Sequence, residues 1–484
     1  MIGGLMKTTS YLAIAAAAGL MFAGATLAPK AARAADLGGD CCADLEGRVA
    51  ELEATTVRKG NKKVSLTISG RVAASMTLFW DNSGLPANAG NGAGPITTDS
   101  KSDLYFGGQT GNDPAIFLDG TGKIDSDRVA GYHIELDYNF QGSNSQNTRQ
   151  QGTAWGTNTD AYVYINSKSL GKVQLGRMNG VLDDWDNVGF AGGYIDGTLN
   201  IRSSGAFFLR DSAGANSGIT YGGLRSGIDT GGDVGLKYIS PVFGNWVTLA
   251  THVGGDSEWD IGALLSGNLS KSVAVKFAAA YSSATEGDAL TGGAQAANNQ
   301  NGSARRLNLA GGIQDSSSGL FAQATYGVAY ADGNAAATTV TAATAPTLTA
   351  VAVCPAPSPS TICGLTPPTL ITAGALASGT TLTHLNDITT WTVFGGWHKN
   401  VTGMGNTEIF TQYLKSNNNY ADGASTHVWQ VGIDQAIDSA SSHLFLTYEN
   451  YNADSLPAGL KDGAGNTIGT QDLSTITAGM SITF

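Results

Sequence analysis

The sequence predicts an all-β chain closed into a 16-stranded antiparallel transmembrane β-barrel, preceded by a short N-terminal periplasmic helix or coiled-coil segment. Three observations carry this prediction. First, 42% of the 484 residues are apolar and only 14% are charged, yet mean hydropathy is −0.05, so the apolar residues are dispersed. Beyond the N-terminus no run approaches the ~20 apolar residues of a membrane helix. Second, long stretches alternate apolar and polar with period two, the pattern of strands between lipid and water. Third, the connections alternate between short turns and long polar loops, as on the two rims of a barrel.

The N-terminus sets the compartment. Lys7 precedes an uncharged, Ala- and Leu-rich run from Tyr11 to Ala28, then Pro29 and the small-residue sequence Ala32-Arg33-Ala34. This pattern predicts a signal peptide over 1–34, cleaved after Ala34. Cleavage removes Lys7, Lys30 and Arg33 and no acid, taking the net charge from −12 to −15. So acidic a chain is not expected to bind nucleic acid.

Residues 35–60 form the expected helical segment. Cys42, Leu45, Val49, Leu52 and Thr56 follow an a/d heptad spacing. Two heptads are too short to hold alone, so the segment either joins a small bundle in an oligomer or lies on the barrel or a neighbour.

From about residue 61 the period becomes two and the barrel domain, 61–484, begins. Val64, Leu66, Ile68, Val72, Ala74, Met76, Leu78 and Trp80 alternate with residues that are mostly small, polar or basic, and Phe79-Trp80 stands where an interfacial aromatic girdle is expected. Tyr132, Ile134, Leu136 and Tyr138 alternate with His133, Glu135 and Asp137. Val273, Val275, Phe277 and Tyr281 form another apolar face, and so do Leu320, Tyr326 and Val328 opposite Gln323 and Thr325. The expected strands are 63–80, 113–123, 127–140, 158–168, 172–178, 231–240, 246–254, 258–268, 272–283, 304–313, 320–330, 388–399, 407–416, 427–437, 443–452 and 471–484. An even number closes up and down. Sixteen strands leave an aqueous channel, whereas eight leave a lumen that side chains fill.

The last strand places Ile476, Ala478, Met480, Ile482 and Phe484 on one face. The terminal Phe484 resembles the signal read by the barrel assembly machinery during biogenesis. Together with the leader, Asp40-Cys41-Cys42-Ala43-Asp44-Leu45-Glu46 and the first-strand run Lys63 to Gly70, it resembles the alphaproteobacterial general porin family along nearly the whole mature chain. The resemblance implies a homotrimeric, water-filled channel in the outer membrane of a Gram-negative bacterium, passing small hydrophilic solutes and ions by passive diffusion.

In that family the third loop folds into the lumen and its acids face arginines on the wall. The run Gly176-Arg177-Met178-Asn179-Gly180-Val181-Leu182-Asp183 resembles that transition, which makes 178–230 the expected constriction region. Asp183, Asp184, Asp186 and Asp196 are the candidate loop acids. Arg71, Arg177, Arg202 and Arg306 are the candidate wall bases. Opposed charges in a wet neck order water and steer ions. Arg71 sits mid-strand on the polar face, whereas strict alternation after Val173 and Leu175 turns Arg177 outward unless Gly176 marks a bulge.

Cys354 and Cys363 are expected to form a local disulfide in the Pro/Thr/Ala-rich loop 331–387. Cys41 and Cys42 either bridge chains or stay reduced. No metal-ligand spacing, cofactor motif or nucleophile elbow is present, so no enzyme is expected. A substrate-specific outer-membrane channel and a surface adhesin or structural barrel are the alternatives to general diffusion.

Overall fold

The computed structural model describes residues 63–82, 84, 102–108, 114–139, 155–185, 188–190, 207–214, 216–224, 232–255, 258–285, 303–330, 338–339, 381–382, 386–457, 459–461 and 465–484. The leader 1–34, the heptad segment 35–60, Cys41, Cys42, Cys354, Cys363, Asp186, Asp196 and Arg202 lie outside the described residues.

Sixteen antiparallel strands close on themselves. They are β1 (Thr67–Asp81), β2 in two pieces (Ser102–Gly107 and Ala115–Lys123), β3 (Arg128–Asn139), β4 (Trp155–Ser167), β5 (Gly171–Asn179), β6 (Gly232–Ile239), β7 (Val247–Gly254) and β8 (Glu258–Asn268). Then follow β9 (Val273–Thr285), β10 (Ser303–Asp315), β11 (Leu320–Tyr330), β12 (Ile388–Lys399), β13 (Thr407–Asn417), β14 (Ser425–Ile437), β15 (Ser442–Ser455) and β16 (Asp472–Thr483). Each pairs with the next, and β1 pairs with β16 from Arg71 opposite Thr483 to Asp81 opposite Leu473. Closure leaves no unpaired edge, the condition for a sheet in hydrocarbon.

One strand departs from expectation. Residues 82–112 read as loop, yet Ser102–Gly107 pairs with the upper half of β1, and Ala115–Lys123 pairs with its lower half. Ser75 faces Gly107 and Arg71 faces Ala115, so the two pieces flank Val72 to Ala74 of β1. β2 is therefore a single wall strand in two pieces, both paired with β1.

The parity of the strands inverts the polarity of a soluble protein. Val72, Leu175 and Val234 are 56%, 57% and 60% exposed on the outer face. The inward positions carry Thr77, Gln174, Asn308, Gln323, Thr392, Gln412, Gln430 and Thr477. A slip of one residue in register would exchange these faces, so lipid outside and water inside fix the pairing. Towards the loop-bearing rim, aromatic side chains meet in pairs: Trp80–Tyr448 at 5.9 Å, Trp429–Tyr448 at 4.9 Å, Trp391–Tyr413 at 5.2 Å and Trp259–Tyr281 at 5.7 Å. Amphipathic rings of this kind sit at headgroup level. Phe79 is not part of the belt, for it points inward and is fully buried.

At the opposite rim Phe484 closes the seam. Its N–H donates to the Gly70 carbonyl and its carbonyl accepts from the Gly70 N–H, both at 2.9 Å. A Cβ at position 70 would lie 2.7 Å from the Phe484 ring, so glycine lets the ring lie over β1.

Candidate functional site

The segment after β5 turns into the barrel because its apolar residues fit small residues on the inner wall. A single helical turn, α1 (Val181–Asp184), follows Gly180. Val181 and Leu182 are buried against Ala250 and Ala280, on β7 and β9. Trp185 and Val188 pack near Ala278 and Ala310, and Phe190 reaches Phe321, Phe394 and Phe410. Val181 to Trp185 and Val188 to Phe190 thus lie along the lumenal face from β7 towards β13. Apolar burial of this kind stabilises by roughly 1.5–3 kcal/mol per large side chain.

The polar atoms of the segment are met by the wall. Asp260 on β8 accepts the Val181 N–H at 3.0 Å, capping the turn. Lys237 on β6 ion-pairs with Asp184 and donates to the Asn179 carbonyl at 2.9 Å. Lys276 on β9 donates to the Gly189 carbonyl at 2.8 Å and stands 4.9 Å from the centre of the Phe190 ring. His252 on β7 lies between Lys237 and Asp260 in the register, with Nδ1 3.6 Å from Asp260 Oδ2.

Gly262 supplies the seat for the turn. A Cβ there would lie 2.8 Å from both Val181 Cγ1 and Trp185 Cε3. Gly262→Leu is expected to lift the turn off the wall and lower single-channel conductance. Unchanged conductance would show that the turn does not govern the current.

A second part of the same connection packs on the other side of the barrel. Phe208–Arg210 and Asn216–Thr220 form a small hairpin, followed by the turn α2 (Tyr221–Leu224). Phe207, Leu209, Ile219, Tyr221 and Leu224 join one buried cluster with Phe79, Tyr105, Leu414, Val428 and Tyr451 from β1, β2, β13, β14 and β15. Arg210 is fully buried and ion-pairs with Asp81 at the end of β1. Its N–H donates to Gln471 Oε1 at 2.6 Å, and its Nη1 to the Gly214 carbonyl at 2.8 Å. The Ser212 N–H donates to the Thr467 carbonyl at 2.8 Å, which ties the hairpin to the segment before β16.

The candidate residues fall in different places. Arg71 points inward, 3.5 Å from Glu135 and over the Phe117 ring. Arg306 points inward and is fully buried, opposite Ser282 and Ala329. Asp183 is half-buried on α1, beside Asp184 with its lysine partner. Arg177 stands on the outer face, for it pairs with Ala161 and Val234 and keeps the parity of Leu175 despite the positive φ of Gly176. Sequence reasoning passed over Lys237, Asp260, Lys276 and Arg210. For the first three the signal was present, since each is a charged residue between outward apolar neighbours on a strand.

A closed barrel with an apolar outer belt, a polar lumen and a loop folded against the inner wall defines a channel of the porin type. The sequence matches the Gram-negative porin family over residues 12–456, so the chain belongs to that family. It is an outer-membrane channel for passive diffusion. The chain is similar in structure to an anion-selective porin from Comamonas acidovorans, at 12% identity and TM-score 0.46, covering 87% of this chain and 100% of that one. It is also similar to OmpF of Salmonella typhi and to the outer membrane channel DcaP of Acinetobacter baumannii. Each is 11% identical with TM-score 0.46, over 88% of this chain and 99% of the other. No curated protein matches the chain in sequence.

Proposed function

We propose that residues 178–230 form the constriction of a general diffusion channel, which sorts small hydrophilic solutes by size and charge. The packing of 181–190 and 207–224 against two sides of the inner wall carries this reading. Asp184, neutralised by Lys237, is the loop acid placed to influence passing ions. Asp119, Glu135, Asp137 and Asp160 outnumber Arg71 and Lys172 on the inward face of the neighbouring strands and support a modest cation preference. Removal of the leader 1–34, assembly as a homotrimer, an alphaproteobacterial affiliation and recognition of Phe484 by the assembly machinery complete the reading, on the resemblance set out above. Recording in planar bilayers tests it: stepwise current with a cation-directed reversal potential is expected, and clear anion selectivity would overturn the charge assignment.

A further inference from the structure

His133, Glu135 and Asp160 form a compact cluster on the inner wall whose geometry goes beyond a general contribution of negative charge to the lumen. His133 and Glu135 are two apart on β3 and so share its inward face, and Asp160 on β4 is the register partner of Glu135. One ring nitrogen of His133 and one carboxylate oxygen from each acid lie within 4.8 Å of one another. The imidazole is held in place, with Nδ1 2.8 Å from Asp119 Oδ1 and its ring 5.3 Å from that of Tyr162. A carboxylate on one histidine nitrogen orients the ring and leaves the other for a metal, the usual outer-shell arrangement of a metal-bound histidine.

A second observation points to a cation. Asp137, 8% exposed and two residues beyond Glu135, touches the Glu135 carboxyl. Its Oδ2 accepts from Thr159 Oγ1, but its Oδ1 has no hydrogen-bond partner, and neither does Oδ1 of Asp160. Buried carboxylate oxygens without donors are costly. Arg71, 3.5 Å from Glu135, is the cation paired with these acids, while Lys237 and Arg177 act on Asp160 and Lys172 on Asp119 from farther away.

We infer that His133, Glu135 and Asp160 bind a divalent transition-metal ion of the zinc class on the channel wall, with Asp119 orienting the imidazole. One nitrogen and two carboxylate oxygens, with a position left for water, suit such an ion better than magnesium or calcium, which favour all-oxygen shells. Asp160 lies within electrostatic range of Asp184 and Lys237 at the root of the inward loop. A bound dication therefore adds positive charge beside the constriction and reduces cation current.

Equilibrium dialysis of the purified wild-type barrel against micromolar Zn²⁺ tests the site. The wild type is expected to retain one more ion per chain than His133→Ala, and Glu135→Gln to lose the same ion while preserving side-chain volume should the first variant fail to fold. Asp119→Asn is expected to weaken binding on the order of tenfold. Equal retention by wild type and variants would overturn the assignment, as would displacement of the ion by an equimolar amount of Ca²⁺. Dialysis does not depend on conductance, so failure of the metal site and failure of the channel reading are separately visible.

Discussion

Lys237→Met is expected to shift the reversal potential towards cations, and Asp184→Asn to shift it towards anions. The two groups form one ion pair, with Lys237 only 4% exposed and Asp184 more open to the lumen. Removing the lysine leaves an uncompensated carboxylate beside the passage, and removing the carboxylate leaves an ammonium. At close range a unit charge is worth about 4 kcal/mol to a passing ion at an effective dielectric of about 20. Screening sets the salt dependence. The Debye length is about 10 Å at 0.1 M and about 3 Å at 1 M, so both shifts should be clear in dilute salt and largely lost in concentrated salt. The double variant should return close to wild type. Shifts of the same sign, or shifts that persist at 1 M, would show that the pair acts by changing the shape of the loop.

Arg210→Met is expected to release the 207–224 hairpin from the wall. The guanidinium is fully buried with Asp81, and truncating one partner of such a pair costs about 3–5 kcal/mol because the other charge stays behind unpaired. The apolar cluster around Phe207, Leu209 and Tyr221 resists release, but it shares the hairpin with Arg210, so the loss falls on one cooperative unit. The barrel itself has its own ladder of strands and should keep its β-sheet circular dichroism. Local release should appear as faster chymotrypsin cleavage at Phe207, Phe208 or Tyr221 and as noisier, larger single-channel current. Asp81→Asn should give the same phenotype, and the double variant should be no worse than either single one, because the residues are coupled. Unchanged protease resistance would show that apolar packing alone holds the hairpin.

The barrel was legible because a strand between lipid and water writes its environment at every second residue. Val273, Val275, Phe277 and Tyr281 needed no partner to declare their face, and the short turns and closing strand followed. Ser102–Gly107 escaped because it is short and ends in glycine, so its order comes from pairing with β1 and not from its own pattern. Phe79 misled for a related reason. An aromatic residue near a strand end suits a lipid interface, but here the inward parity of the strand and the apolar hairpin opposite it outweigh that preference. That the chain after β5 enters the lumen was expected from resemblance, whereas the residues that anchor it depend on register. Lys237, His252 and Asp260 become neighbours only once β6, β7 and β8 are aligned. Arg177 shows the opposite case, where alternation alone already indicated the outer face.

We propose that a water-filled passage runs through this barrel and that the connection between β5 and β6 narrows it. Single-channel recording in planar bilayers tests this most directly, with the wild type compared to a variant in which a short turn joins Asn179 to Gly232. Ohmic steps in groups of three are expected for the wild type, and markedly larger steps, with weaker ion preference, for the variant. A wild-type protein that inserts but carries no current, or a variant with wild-type conductance and selectivity, would contradict it.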